Sequence, residues 1–257
     1  MDFLVHSYLQ TGQDVEAKRV VDEAATIKII PHILDAHAMA AMPARYAVER
    51  RRWDEAAALT LPQQREFAWS SFPHAEAVLV FARALGAARN GNIDAARKDL
   101  DRLQELRANL IKANSEGTWQ EYWVSQIENN HRIVTAWIAY TQGRRDEALH
   151  MLRAAADRED STEWDPVMPG HIVSARVLLG DLLMEINEPA QALEAFEAAL
   201  KVEPSRFWTL FGAARAADLA GDPAKAKAFY TRLVTQTAHA DTEHPALKVA
   251  KVFLAKR

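Results

Sequence analysis

Along most of this chain, apolar residues recur at the three- and four-residue spacing that places them on one side of a helix, and the runs come in pairs. The clearest pair lies between Val173 and Pro204. Leu179, Leu182 and Leu183 sit at helical spacing, Asn187-Glu188-Pro189 interrupts the run, and Ala192, Phe196 and Ala199 form a second stripe that Pro204 ends. The pattern predicts a helical hairpin. Gly180, Ala192 and Ala199 allow two backbones to approach closely, and Phe196 is expected to fill the gap to a neighbouring hairpin, since one hairpin alone cannot bury that surface.

The pattern repeats in both directions. Advancing Asn187, Ala192, Phe196 and Ala199 by 34 residues lands on Gly221, Ala226, Tyr230 and Leu233. Nearer the start, Asp2 to Gln10 and Asp14 to Ala25 flank a Thr11-Gly12-Gln13 turn, with Ala17, Val21 and Ala24 in the second stripe. A degenerate second unit has Arg51 at its turn and Ala56 after it, and Pro43 is expected to start or kink its helix. His74 to Asn90 and Ile93 to about Ala113 pair across Gly91, the latter longer than its counterparts. After a break at Gly117-Thr118, a fourth helical run leads to Gly143, Ala148, Leu152 and Ala155. The turn residues Gly12, Arg51, Gly91, Gly143, Asn187 and Gly221 therefore mark six units, and a helix opening at His244-Pro245 ends the array with Lys248, Lys251, Lys256 and Arg257 facing water. Two irregular connections, Leu61 to Pro73 and Asp157 to His171, are expected to fill grooves.

Leu179-Gly180, Ala192, Phe196, Ala199 and Pro204 resemble the signature of the tetratricopeptide repeat. The stretches HAMAAMPARYAVERRRWDEAAAL, FARALGAARNGNIDAAR and GRRDEALHMLRAAADRED, with the following VMPGH, are similar to the later half of bacterial tetratricopeptide-repeat proteins of unassigned activity. The resemblance implies an all-α, right-handed solenoid of about six hairpins plus a capping helix. It is expected to form one domain over 1–257: degenerate repeats over 1–156, the best-matching repeats over 173–240 and the cap over 244–257. It brings no catalytic residues with it.

Composition narrows the class further. Ala, Leu, Glu and Arg dominate, which favours helix throughout. With 31 basic and 35 acidic residues interspersed, the net charge of −4 does not provide a dedicated nucleic-acid or anionic-membrane surface. No cysteine is present, so disulfides and thiolate metal sites are excluded. The first residues lack the pattern of a secretory leader and no apolar run is long enough to span a bilayer, so a soluble, cytoplasmic chain is the default expectation. Met1 falls in the first turns of a repeat helix, so the chain is also compatible with the later part of a longer protein.

In the stacked array that the resemblance implies, the first helix of each hairpin lines a concave face. The stripe six places before each turn contains His6, Arg45, Trp137, Asp181 and Arg215, with Glu49, Phe81, Arg89 and Tyr140 beside it. Aromatic residues with both charge signs suit an extended peptide, from a protein segment, or a ligand carrying apolar and polar parts. The leading expectation is a noncatalytic peptide-binding scaffold, with Trp137→Ala and Arg45→Glu abolishing binding without unfolding. The alternative is a small-molecule-binding or hydrolytic protein with its site in the groove. No metal and no cofactor are expected: His32 and His37 are rotated apart on a helix, and no HExxH motif or phosphate-binding glycine loop occurs. Ser70-Ser71 near His74 lacks a nucleophile elbow. Glu121, Glu128 and His131, near Tyr122 and Trp123, form the most enzyme-like grouping. An open apolar end at Met1 would offer a homodimer surface.

Overall fold

The computed structural model describes residues 1–62, 67–113, 118–162 and 171–256. The Gly117 break, most of the Asp157 to His171 connection, the centre of the Leu61 to Pro73 connection and Arg257 lie outside the described residues. Among the described residues there are thirteen α-helices and no strand. They are α1 (Asp2–Gln10), α2 (Asp14–Thr26), α3 (Ile33–Glu49), α4 (Trp53–Ala57), α5 (Pro73–Arg89), α6 (Ile93–Lys112), α7 (Thr118–Thr141), α8 (Arg145–Asp160), α9 (Ala175–Glu185), α10 (Pro189–Val202), α11 (Phe207–Leu219), α12 (Pro223–Gln236) and α13 (Pro245–Ala255).

All six turns marked in the sequence close in one way. Gly12, Arg51, Gly91, Gly143, Asn187 and Gly221 each have positive φ, from 57° at Arg51 to 82° at Gly221. After each, the next N–H donates back to the carbonyl five residues earlier, as from Glu188 to Leu183 at 2.8 Å and from Asp222 to Ala217 at 2.9 Å. This helix-ending motif needs a left-handed residue, which glycine supplies without strain, asparagine tolerates and arginine adopts at a cost. The following helices start on local signals. Pro189, Pro223 and Pro245 occupy first-turn positions, where a missing N–H is harmless, and Asp222 accepts from Lys225 N to cap α12.

The helices form two compact units. The first comprises Met1–Phe3 with Val20–Val173, and the second Leu4–Arg19 with Ser174–Arg257. In the second unit each helix from α9 to α12 packs on its successor, and α13 packs on α12. Phe196 of α10 is fully buried, and its ring occupies the place where a Cβ on Gly180 of α9 or Gly212 of α11 would fall, at 2.5 and 2.6 Å. The first hairpin also belongs here. Gly12 lies against Ala240 and Thr237, Phe207 N donates to Gln10 Oε1 at 2.8 Å, and the Asp241 carboxylate accepts from Val15 N and Glu16 N at 3.1 Å. The first hairpin, where an open apolar end is expected, thus has its turn packed on the chain's own later residues, although Met1, Phe3 and Leu4 stay exposed.

In the first unit α5 packs on α3, α4, α6 and α7, and is buried almost all round. Its Gly86 is required by close approach: a Cβ there would lie 2.5 Å from the backbone N of Ala57. Pro43 does not start α3. The helix begins ten residues earlier, where His32 Nδ1 accepts from Leu34 N, and Pro43 is accommodated within it. The degenerate second unit owes its character to α4, which stops after five residues. Beyond it Leu59, Leu61, Phe67, Trp69 and Phe72 pack on Ala36, Ala40, Ala75 and Leu79, so the connection covers the faces of α3 and α5 that a longer helix would have covered. Trp69 Nε1 donates to Pro62 O at 3.0 Å.

Candidate functional site

The nine stripe residues separate into distinct settings. Arg45 of α3 is 2 % exposed and holds a charge network, donating from Nε and Nη2 to Asp2 at 3.0 and 3.3 Å and from Nη1 to Glu49 at 3.0 Å. Burial opposes the charge on this guanidinium, yet the two carboxylates outweigh it and hold its pKa above the ordinary range. An ion triad this deep is a structural element, and Arg45→Glu would bury three like charges together. Unfolding is the expected result, in place of a clean loss of binding.

Arg89, Trp137 and Tyr140 come together elsewhere in the same unit. The Arg89 guanidinium lies 4.0 Å from the Trp137 ring centroid and 5.0 Å from that of Trp53, and Tyr140 meets Trp137 edge-on at 5.6 Å. Trp137 is 1 % exposed and Phe81 2 %, so both are core side chains here. In the second unit His6 is half-buried and accepts from Gln10 Nε2 at 3.4 Å when that amide donates. Asp181 of α9 is half-buried, and Arg215 of α11 is exposed. Arg215 sits 5.8 Å from the Phe211 ring, and Trp208 meets Phe211 edge-on at 5.6 Å.

The sequence reading missed a buried histidine pair. His37 of α3 and His74 of α5 are each 2 % exposed, with ring centroids 6.5 Å apart and planes parallel to 1°. Trp123 lies 5.3 Å from the first and 5.4 Å from the second, and Trp119 lies 4.9 Å from His74. His74 Nε2 meets Ile33 O at 3.4 Å, while neither ring nitrogen of His37 has a hydrogen-bond partner among the described residues. Burial pushes both pKa values down to about 4; Asp2 partly offsets this at His37, and the charge of His37 adds to it at His74. Both imidazoles are therefore neutral at pH 7. His37 is buried in α3 and does not join His32, which caps that helix.

The enzyme-like groupings come apart. Ser70 and Ser71 are exposed in a short 3-10 turn, whereas His74 is buried and turned to Ile33 O. Glu121 is exposed, while Glu128 and His131 line one cleft, and Tyr122 and Trp123 line another void of about 20 Å³ with Phe81 and Ile172. Glu128 accepts from Arg132 and Arg107, which hold its carboxyl below the usual range, so it is poorly suited to give up a proton near neutral pH. Among the described residues no group of three or more His, Cys, Asp or Glu is placed to hold a metal ion, and no helix is long and apolar enough to cross a membrane.

Residues 177–241 match the family model described as Tetratricopeptide repeat. The match covers α9 to α12, where Phe196 joins two successive hairpins. The search of curated proteins found no match.

Proposed function

We propose, from the premise that this is a tetratricopeptide-repeat protein whose matched repeats span residues 177–241, that the chain is a noncatalytic scaffold that binds a segment of another protein. Such repeats in general mediate protein–protein interaction, and stacking gives them extended surfaces on which no single pocket is needed. The observation that carries the reading is on the first helices of the matched repeats. Arg215 is exposed 5.8 Å from the Phe211 ring centroid, Trp208 meets that ring edge-on, and Asp181 occupies the equivalent place one repeat earlier. An exposed cation next to the half-buried Trp208, with an acidic residue at the equivalent place one repeat earlier, suits an extended peptide with an apolar side chain next to an acidic one.

Selection of displayed random peptides on the immobilised chain tests this. The expected result is an enriched motif pairing an acidic with an apolar residue, whose binding to Arg215→Glu falls about tenfold or more at an unchanged melting temperature. A selection that yields no motif, or peptides that bind wild type and Arg215→Glu equally, would refute it.

A further inference from the structure

A cleft of about 430 Å³ lies on the first unit between α6 and α7, within the range of small-molecule sites. The buried Leu103 and Ile127 line it together with Arg107, Arg132, Glu128 and His131. Arg107 Nη2 donates to Glu128 Oε2 at 2.8 Å and Arg132 Nη2 to Glu128 Oε1 at 2.6 Å, so one carboxylate takes both guanidinium groups. Arg158 of α8 adds a third positive charge acting on Glu128, and its only side-chain hydrogen bond among the described residues goes to Ser125 Oγ.

Donors exceed acceptors here. Each guanidinium carries five N–H groups and accepts none, and Glu128 cannot satisfy two of them, let alone three. The Nε atoms of Arg107 and Arg158 are buried with no partner among the described residues. His131 does not offset the imbalance. Gln104 Nε2 lies 3.0 Å from its Nε2, which therefore acts as the acceptor, and burial lowers its pKa despite the charges of Asp101 and Glu128. The cleft lining is thus cationic, with Glu128 holding two guanidinium groups in place beside open volume.

We propose that this cleft binds a small organic anion, a carboxylate or a phosphate ester, whose oxygens bridge Arg107 and Arg132. Planar guanidinium pairs recognise either head group through two parallel hydrogen bonds. The volume exceeds what a bare oxyanion fills, which leaves room for an organic body. The site lies on the first unit and the peptide surface around Arg215 on the second, with no residue in common, so either can fail alone.

Calorimetric titrations at fixed ionic strength with phenyl phosphate, benzoate and inorganic phosphate test the assignment. Saturable binding of phenyl phosphate or benzoate supports it, and their relative affinities identify the head group. Arg132→Gln, at an exposed position, is expected to weaken that binding about fivefold or more. Glu128→Gln is expected to strengthen it by a similar factor, because it removes a repelling charge and releases donors. A merely structural salt-bridge network would not respond in opposite directions to these two changes. The proposal is overturned if neither wild type nor Glu128→Gln saturates with either organic probe, or if Arg132→Gln leaves affinity unchanged. Inorganic phosphate binding as tightly as phenyl phosphate would overturn the organic-ligand assignment.

Discussion

Phe196 makes the packing of the matched repeats testable at a single contact. Its ring lies between two glycines, Gly180 on α9 and Gly212 on α11, each in a helix interior where glycine costs about 1 kcal/mol relative to alanine. Gly212→Ala recovers that propensity but sets a Cβ 2.6 Å from Phe196 Cζ, well inside van der Waals contact. Overpacking of this kind costs about 1–3 kcal/mol, so a net loss of about 1 kcal/mol is expected. Phe196→Leu removes ring carbons from a fully buried site and is expected to cost about 2 kcal/mol. The double variant should lose less than the two together, because the shorter leucine leaves room for the new methyl group. A favourable coupling of about 1 kcal/mol or more is the expected signature. Urea unfolding followed by far-ultraviolet circular dichroism and by tryptophan fluorescence measures it, where the two transitions coincide. Additivity within about 0.5 kcal/mol would refute the argument that these glycines exist to admit the ring.

Other consequences follow from single contacts. Asp2→Asn leaves Arg45 buried with Glu49 alone and should cost about 3 kcal/mol by urea unfolding, whereas the triple change Asp2→Leu, Arg45→Met and Glu49→Leu should cost less, since it removes all three charges of the triad. His37 and His74 have folded pKa values of about 4 against 6.5 unfolded, so the unfolded chain binds more protons between those values. Their contribution is complete above pH 6.5 and is lost as the pH falls toward 4, on the order of 3 kcal/mol each; a urea midpoint that does not fall between pH 7 and pH 5 would contradict it. Asp241→Ala removes the acceptor for Val15 N and Glu16 N, with an expected loss of about 1 kcal/mol and faster amide exchange at those two residues.

The fold was legible wherever local rules decide it. A helix that ends with a left-handed residue and a backward hydrogen bond needs glycine or a tolerant substitute at one position, so four glycines and Asn187 declare themselves, and register alone identifies Arg51. Phe196 was legible for a related reason: small residues on two faces and one large ring between them describe an interface from either side. The length of α4 was not. Its sequence continues as Ala58-Leu59-Thr60-Leu61, which carries no strong stop before Pro62, and the helix ends because the leucines and aromatic residues beyond it gain more by covering α3 and α5.

The candidate sites depended on contacts between residues far apart in the chain, and there periodicity misleads. Helical spacing places Arg45, Phe81 and Trp137 on one repeating stripe, but a stripe specifies direction and not exposure. Asp2 reaches Arg45 across 43 residues and converts a candidate ligand contact into an internal ion triad. His37 had a usable signal that spacing alone overlooks: it belongs to an alanine-rich helix with ten buried residues, where a polar side chain has little surface to reach. His74 is similar, within a helix buried almost all round. The general inference is that in a helix packed on several sides the polar residues are the informative ones. Each must be paired, held neutral or satisfied by a partner, and Arg45, His37 and His74 cover the first two of these outcomes within one unit.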